Sequence, residues 1–163
     1  MTHGERAVSV PINYTLSIVI VTVLLTGLIL ATSDQLRAQQ ERTVESEFYV
    51  LGNRMAADVS AADRLAQTTE GTTDDVVRVR TEIPDRVADM NYEVEISSSV
   101  LVPGEAYEVT IKFISGRMGI TEEAHLKTGT PVESSTLSAG EYVIEYVDTD
   151  GDGEPDALEV KNV

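Results

Sequence analysis

From Ile12 to Ala31 the chain reads INYTLSIVIVTVLLTGLILA, without one charged residue. That is about the 20 residues an α-helix needs to cross roughly 30 Å of hydrocarbon. Asn13, Thr15, Ser17, Thr22 and Thr26 interrupt the apolar run with uncharged polar groups, which can bond the helix's own carbonyls. Beyond Ala31 the pattern stays helical but becomes one-sided. Phe48, Leu51, Met55, Val59 and Ala62 recur at steps of three and four, the period of one helix face. Arg37 with Glu41, and Arg54 with Asp58, stand four apart and are placed to pair along the opposite side. Gly52 is the one glycine of this stretch and Pro is missing from it, so a single helix is expected from about Pro11 to about Ala66. Pro11 near its start is tolerable, because the first helical N–H groups have no intrahelical partner.

Thr68–Asp75, TTEGTTDD, has the composition of a loop. After it the period changes from 3.6 to two. Val76, Val77, Val79 and Thr81 form a short strand candidate, and Tyr92, Val94 and Ile96 alternate with Glu93, Glu95 and Ser97. Tyr107, Val109, Ile111 and Phe113 alternate with Glu108, Thr110 and Lys112. Tyr142–Val147 and Ala157–Val160 continue the set, with weaker candidates at Ile120–Leu126 and Val132–Leu137. Pro103-Gly104, Gly116, Gly119, Gly129, Pro131 and Gly140 punctuate them, which predicts a small antiparallel sheet or sandwich. The expected class is α+β: a long N-terminal transmembrane and amphipathic helix followed by a small antiparallel β-domain. In residue numbers the organisation is 1–7 leader, 8–33 span, 34–67 amphipathic extension and 68–163 acidic β-rich domain.

Charge sharpens this picture. The net charge is −16, and Glu5 and Arg6 cancel before Asp34, so all of it lies on residues 34–163. Such a surface excludes nucleic-acid binding through phosphates and is repelled by anionic lipid headgroups. Lys occurs only at Lys112, Lys127 and Lys161. Acidic excess with scarce Lys suits concentrated salt, where the Debye length shrinks to roughly 3 Å and self-repulsion costs little; an ordinary acidic extracellular domain is the plainer alternative. The chain has no Cys and no Trp, so disulfides are excluded and the core must come from Val, Ile, Leu, Tyr and two Phe.

Two segments carry candidate chemistry. In Asp148–Glu159, DTDGDGEPDALE, Asp148, Asp150, Asp152, Asp156 and Glu159 fall at positions one, three, five, nine and twelve of a calcium loop, with Gly153 at six, where the chain turns sharply, and Glu154 beside it. Hard Ca²⁺ seeks six to eight oxygens, which alternating carboxylates in a tight loop can supply. The flanks EYVIEYV and ALEVKNV read as strands, and Pro155 stands where a helical hand has an apolar residue, so this would be a strand–loop–strand variant. An acidic hairpin without a cation is the alternative. His3 and His125 are the only histidines; His125 beside Glu122 and Glu123 reads as a surface residue, and with no Cys nucleophile and no Gly-rich phosphate loop catalysis is not expected. Asn13-Tyr14-Thr15 fits a glycosylation sequon but lies at the membrane entry.

The second segment is the junction Arg6-Ala7-Val8-Ser9, where the polar MTHGERA meets the apolar run. A secretory signal carries its small-residue cleavage site after its apolar region, not before it. A small residue directly after a basic one at this junction resembles archaeal type IV pilins and pilin-like proteins, and the acidic composition resembles those of haloarchaea. The resemblance implies cleavage between Ala7 and Val8 by a prepilin peptidase, with the hydrophobic helix kept on the mature protein. It further implies other pilin-like subunits and the membrane as partners, and a C-terminal domain outside the cell on a single-pass anchor or in a surface filament. The chain differs from many such pilins in placing Pro11 two positions after Ser9 and in lacking an acidic residue just inside the mature N-terminus. A minor or membrane-resident pilin-like protein fits as well as a major subunit. The other reading of these residues is an uncut anchor carrying an extracellular binding or accessory module, stabilised by calcium.

Overall fold

The computed structural model describes residues 6–69, 77–151 and 155–163, with side chains from Tyr14 onward and up to Thr68 in the helix. The chain divides into two units, Met1–Gln40 and Glu41–Val163. One helix, α1 (Arg6–Thr69), contributes to both. It begins five residues before Pro11 and ends three beyond Ala66; Pro11 is the one proline between Arg6 and Thr69, and the helix carries Gly27 and Gly52 in its interior. Pro11 therefore lies past the first turn, and the Ala7 carbonyl loses the donor that residue 11 would otherwise supply.

In the first unit the apolar side chains of α1 are exposed all round, from Leu16 and Ile18 through Leu24, Leu28 and Leu30. The polar interruptions are neutralised locally. Thr22 Oγ1 donates to the Ile18 carbonyl, Thr26 Oγ1 to Thr22 and Thr32 Oγ1 to Leu28, each at 2.8 Å, and Ser33 Oγ donates to Ile29 at 2.9 Å. These bonds hide the hydroxyl protons that hydrocarbon would not satisfy. The helix is long and apolar enough to cross a membrane.

Among its described residues the second unit holds the rest of α1 and seven strands: β1 (Arg78–Ile83), β2 (Glu93–Val102), β3 (Ala106–Ser115), β4 (Ile120–Thr128), β5 (Ser135–Ser138), β6 (Gly140–Val147) and β7 (Ala157–Asn162). They make two antiparallel sheets, ordered β1-β6-β7 and β4-β3-β2-β5. Each strand candidate overlaps a strand, although the Val132–Leu137 candidate is a strand only from Ser135; Val76 of the first candidate and residues 70–75 of the expected loop lie outside the described residues. The alternation works as expected: Val94, Ile96, Val109, Ile111 and Phe113 are buried while their neighbours Glu93, Glu95 and Ser97 are exposed.

The α1 stripe is buried among these inward residues. Phe48, Leu51, Met55, Val59 and Ala62 all enter the core, and the stripe runs one step further at each end, to Val44 and Ala66. Phe48, Tyr92 and Phe113 form an aromatic triangle with centroids 5.4, 5.6 and 5.9 Å apart. Gly52 lets the helix backbone approach the sheet: a Cβ there would stand 3.1 Å from the Ala124 Cβ and 3.8 Å from the Phe113 ring. Val87 and Met90 exchange both backbone hydrogen bonds around Ala88 and Asp89, whose φ of 48° and 61° make this a tight turn of the primed type.

A side chain joins the two sheets. Asn162 Oδ1 accepts from the Ser138 N–H and Asn162 Nδ2 donates to the Ser138 carbonyl, both at 2.9 Å, so one amide imitates a neighbouring strand between β7 and β5. Residues 131–133 run along the other reach of β7, with Leu158 N–H donating to Pro131 and Glu133 N–H to Leu158, both at 2.8 Å.

Candidate functional site

The acidic loop joins β6 to β7, as a strand–loop–strand unit. Its described carboxylates brace the turn. Asp148 Oδ1 accepts the Gly151 N–H at 2.6 Å, with Gly151 at a φ of +79° that favours glycine. Asp156 Oδ1 accepts the Thr149 N–H at 2.9 Å and the Thr149 hydroxyl at 2.7 Å. Asp150 is exposed, and Asp152 and Glu154 lie outside the described residues.

Glu159 sits on β7, directly opposite Glu145 of β6, which in turn faces Arg78 of β1. Lys161 Nζ stands 2.6 Å from Glu159 and 2.8 Å from Glu145, and Arg78 is 2.5 Å from Glu145. The hydrogen bond from Lys161 chiefly holds the Glu145 carboxyl below its usual range, and Glu145 in turn raises Lys161. The twelfth position of the loop pattern is thus part of a cross-strand row of charges. No group of three His, Asp or Glu placed to hold a metal occurs among the described residues.

Of the leader residues, Arg6, Ala7, Val8 and Ser9 open α1, and their side chains lie outside the described set, as do residues 1–5. His125 is a surface residue of β4 opposite Thr110 of β3, with Nδ1 3.2 Å from Thr110 Oγ1 and Nε2 3.7 Å from Glu123.

The polar groups that the structure does bring together inside the fold were not singled out by sequence pattern. Asp63 on α1 is buried. Its carboxylate accepts the Thr130 N–H at 2.9 Å, the Gly129 N–H at 3.2 Å and Gln67 Nε2 at 2.9 Å, which fastens the helix to the β4–β5 connection. The available signal was its position, four residues after Val59 on the apolar face. Asp58, expected to pair with Arg54, accepts the Tyr142 hydroxyl at 2.9 Å. Burial, then the Asp58 charge, raises the Tyr142 phenol above its ordinary range. The Tyr92 hydroxyl donates to the Pro84 carbonyl, and burial followed by the Asp85 charge pushes its pKa up to about 12. These are structural ties, each closing a helix-to-sheet or turn-to-sheet gap.

Exposed apolar side chains of the β-rich unit include Tyr49, Val50 and Leu65 on α1 and, at the β2–β3 hairpin end, three in a row: Val100, Leu101 and Val102. The register slips between Val100 and Val102, so Leu101 is an extra residue on β2.

Residues 3–159 match a family of unknown function, DUF7266. The chain belongs to this family. The DUF7266 match takes in α1 and all strands as far as the first half of β7, so helix and β-rich unit together are the family's unit of architecture. No curated protein and no solved structure matches the chain.

Proposed function

We propose that this DUF7266 chain is a pilin-like structural subunit of a type IV pilus-like surface filament or of its assembly apparatus. The observation that carries the reading is the division of labour along α1. Its first part is apolar on every side and exposed, while its second part is the buried spine of a small β-rich unit. A helix apolar all round needs an apolar surrounding, which lipid or neighbouring copies of the same helix provide. Each buries the same surface, worth roughly 25 cal/mol per Å², so transfer between them is nearly balanced. The acidic unit then faces outward, and its charge keeps copies soluble in salt. The junction Arg6-Ala7-Val8-Ser9 supplies the processing step, and the reading assigns no catalysis to the chain. Mass spectrometry of the protein recovered from membranes and sheared filaments is expected to give a mature N-terminus at Val8. Replacing Arg6 and Ala7 should leave the heavier unprocessed species. An N-terminus at Met1 or Thr2 in the wild type would instead support a permanent anchor carrying a binding or accessory module.

In either form, the loop Asp148–Glu159 is proposed as a weak Ca²⁺ site of the outer unit, with dissociation constants in the ~10⁻⁴–10⁻³ M range of extracellular modules. Titrating the full-length chain with Ca²⁺ is expected to release binding heat and raise the thermal midpoint. A flat titration with an unmoved midpoint would assign the loop's carboxylates to turn-making alone.

A further inference from the structure

β3 pairs with β2 along its whole length, but on the other side β5 pairs only with Glu93–Ile96. Before Ser135 the chain is engaged with β7 through Pro131 and Glu133, so no described strand continues beside Ser97–Val102. Half of a central strand is therefore an open edge. The ladder fixes which groups face it. Ser138 spends its N–H and C=O on Asn162, so Leu137 and Ser135 are the β5 residues bonded to Val94 and Ile96. By the same alternation Ser98 and Val100 point their N–H and C=O groups into the open side.

Exposed strand edges recruit other strands unless something blocks them. The free side of β4 is guarded by Glu122, Glu123, His125 and Lys127, and that of β1 by Arg78, Arg80 and Glu82. Ser97-Ser98-Ser99-Val100-Leu101-Val102 carries no charge and ends in three exposed apolar residues. In a chain of net charge −16, it is a stretch of strand edge whose own residues set no charge against a second copy, although Glu105 and Glu108 lie nearby.

We propose that the open half of β2 pairs antiparallel with the same segment of a second copy, two-fold about Ser99. Ser98 of each copy then exchanges backbone hydrogen bonds with Val100 of the other, and Ser99 faces Ser99. Such a contact is isologous and closed, so it makes dimers rather than fibres. Its direction has a consequence. Phe48 packs on Tyr92 and Phe113, by the Glu93 end of β2, whereas Asp63, fifteen residues or ~22 Å further along the helix, reaches Gly129 and Thr130, by the Val100 end. The open edge thus lies at the end of the unit remote from Glu41. Antiparallel pairing points the two Glu41 ends in opposite directions. The pairing does not rest on the pilin reading.

The chain has no native Cys, so a single cysteine reports the contact cleanly. In the register proposed, Ser99 and its mate form a non-hydrogen-bonded pair with Cα atoms about 4.5 Å apart, within disulfide reach. The full-length Ser99→Cys chain in detergent, mildly oxidised, is expected to give disulfide-linked dimer, and more of it in concentrated NaCl as repulsion between copies is screened. Thr121→Cys, exposed on the charged β4 edge, should stay monomeric. Adding Val100→Pro removes a donor that only the open side uses, so dimer should fall to the Thr121→Cys level with the thermal midpoint unchanged. Should that variant unfold, Leu101→Asp, a charge at an exposed position, is expected to abolish the dimer in its place. Ser99→Cys cross-linking no better than Thr121→Cys at high salt, or cross-linking that survives these changes in a folded chain, would overturn the second copy as occupant and leave a foreign strand for that edge.

Discussion

Phe48→Ala should unfold much of the β-rich unit's stability at a stroke, lowering it by about 4 kcal/mol in denaturant titrations of the full-length chain. Phe48 is 1% exposed and is one corner of the aromatic triangle with Tyr92 and Phe113. The chain has only two Phe and no Trp, so no other large ring stands ready to fill the void. Two effects add. The lost transfer energy and the residual cavity account for most of it, and two ring contacts add about 0.5–1.5 kcal/mol each. Phe48→Leu keeps most of the volume and should cost about 1–2 kcal/mol. Tyr49→Ala, one residue along and 66% exposed, should change stability by no more than about 0.5 kcal/mol. A loss at Phe48 as small as that at Tyr49 would mean that α1 is not the spine of the unit. For the pilin reading the consequence is specific. The variant's apolar span is untouched, so it should still enter membranes, but with a protease-sensitive outer unit.

Much of this architecture was legible because two physical periods do not overlap. The step of three and four from Phe48 to Ala62 and the step of two in EVEI and YEVTIKF each name a buried face without reference to anything distant. The ends were less legible. Val44 and Ala66 extend the stripe but sit among TVES and RLAQ, where burial depends on how far the sheets reach. The division into two sheets was left open between sheet and sandwich, because the partner of a strand is set by tertiary register. The shortness of β5 follows from Pro131 and Glu133 joining β7, an event twenty-five residues away in the chain from Leu158. That is why the open edge of β2 is invisible in the sequence, although its lack of charge is not.

Polar residues were read with a coarser rule, that Asp and Glu of an acidic chain form a solvated face. For Glu93 and Glu95 the rule holds, since both are exposed. It misses Asp58, half-buried under the Tyr142 hydroxyl, and Asp63, whose one local sign is its place on the apolar helix face and whose backbone donors lie far along the chain. In the calcium loop the spacing of carboxylates was legible. The partners of the described ones were not: Thr149 for Asp156, Gly151 for Asp148 and Lys161 for Glu159.

The sharpest test of that distinction is Asp63. If it were one more solvated carboxylate, Asp63→Ala would move stability by about 0.5 kcal/mol at most. The structure predicts a loss of about 3 kcal/mol. Three donors converge on this carboxylate, two of them backbone N–H groups of Gly129 and Thr130, 66 and 67 residues away. Hydrogen bonds to a charged group contribute about 1.5–3 kcal/mol each, and a donor stranded in the interior adds its own desolvation cost. Thr130 is itself buried, so water cannot replace the lost acceptor freely. Asp63→Asn keeps one carbonyl oxygen for Thr130 but turns an amide toward donors that need an acceptor, and should lose about half as much. The Thr130 amide offers a second, local readout. Its hydrogen exchange should be slow in the wild type and approach that of an exposed loop in Asp63→Ala, even in conditions where the variant remains folded. Slow exchange in both proteins would show that the β4–β5 connection is held by packing, with the helix-borne carboxylate a bystander.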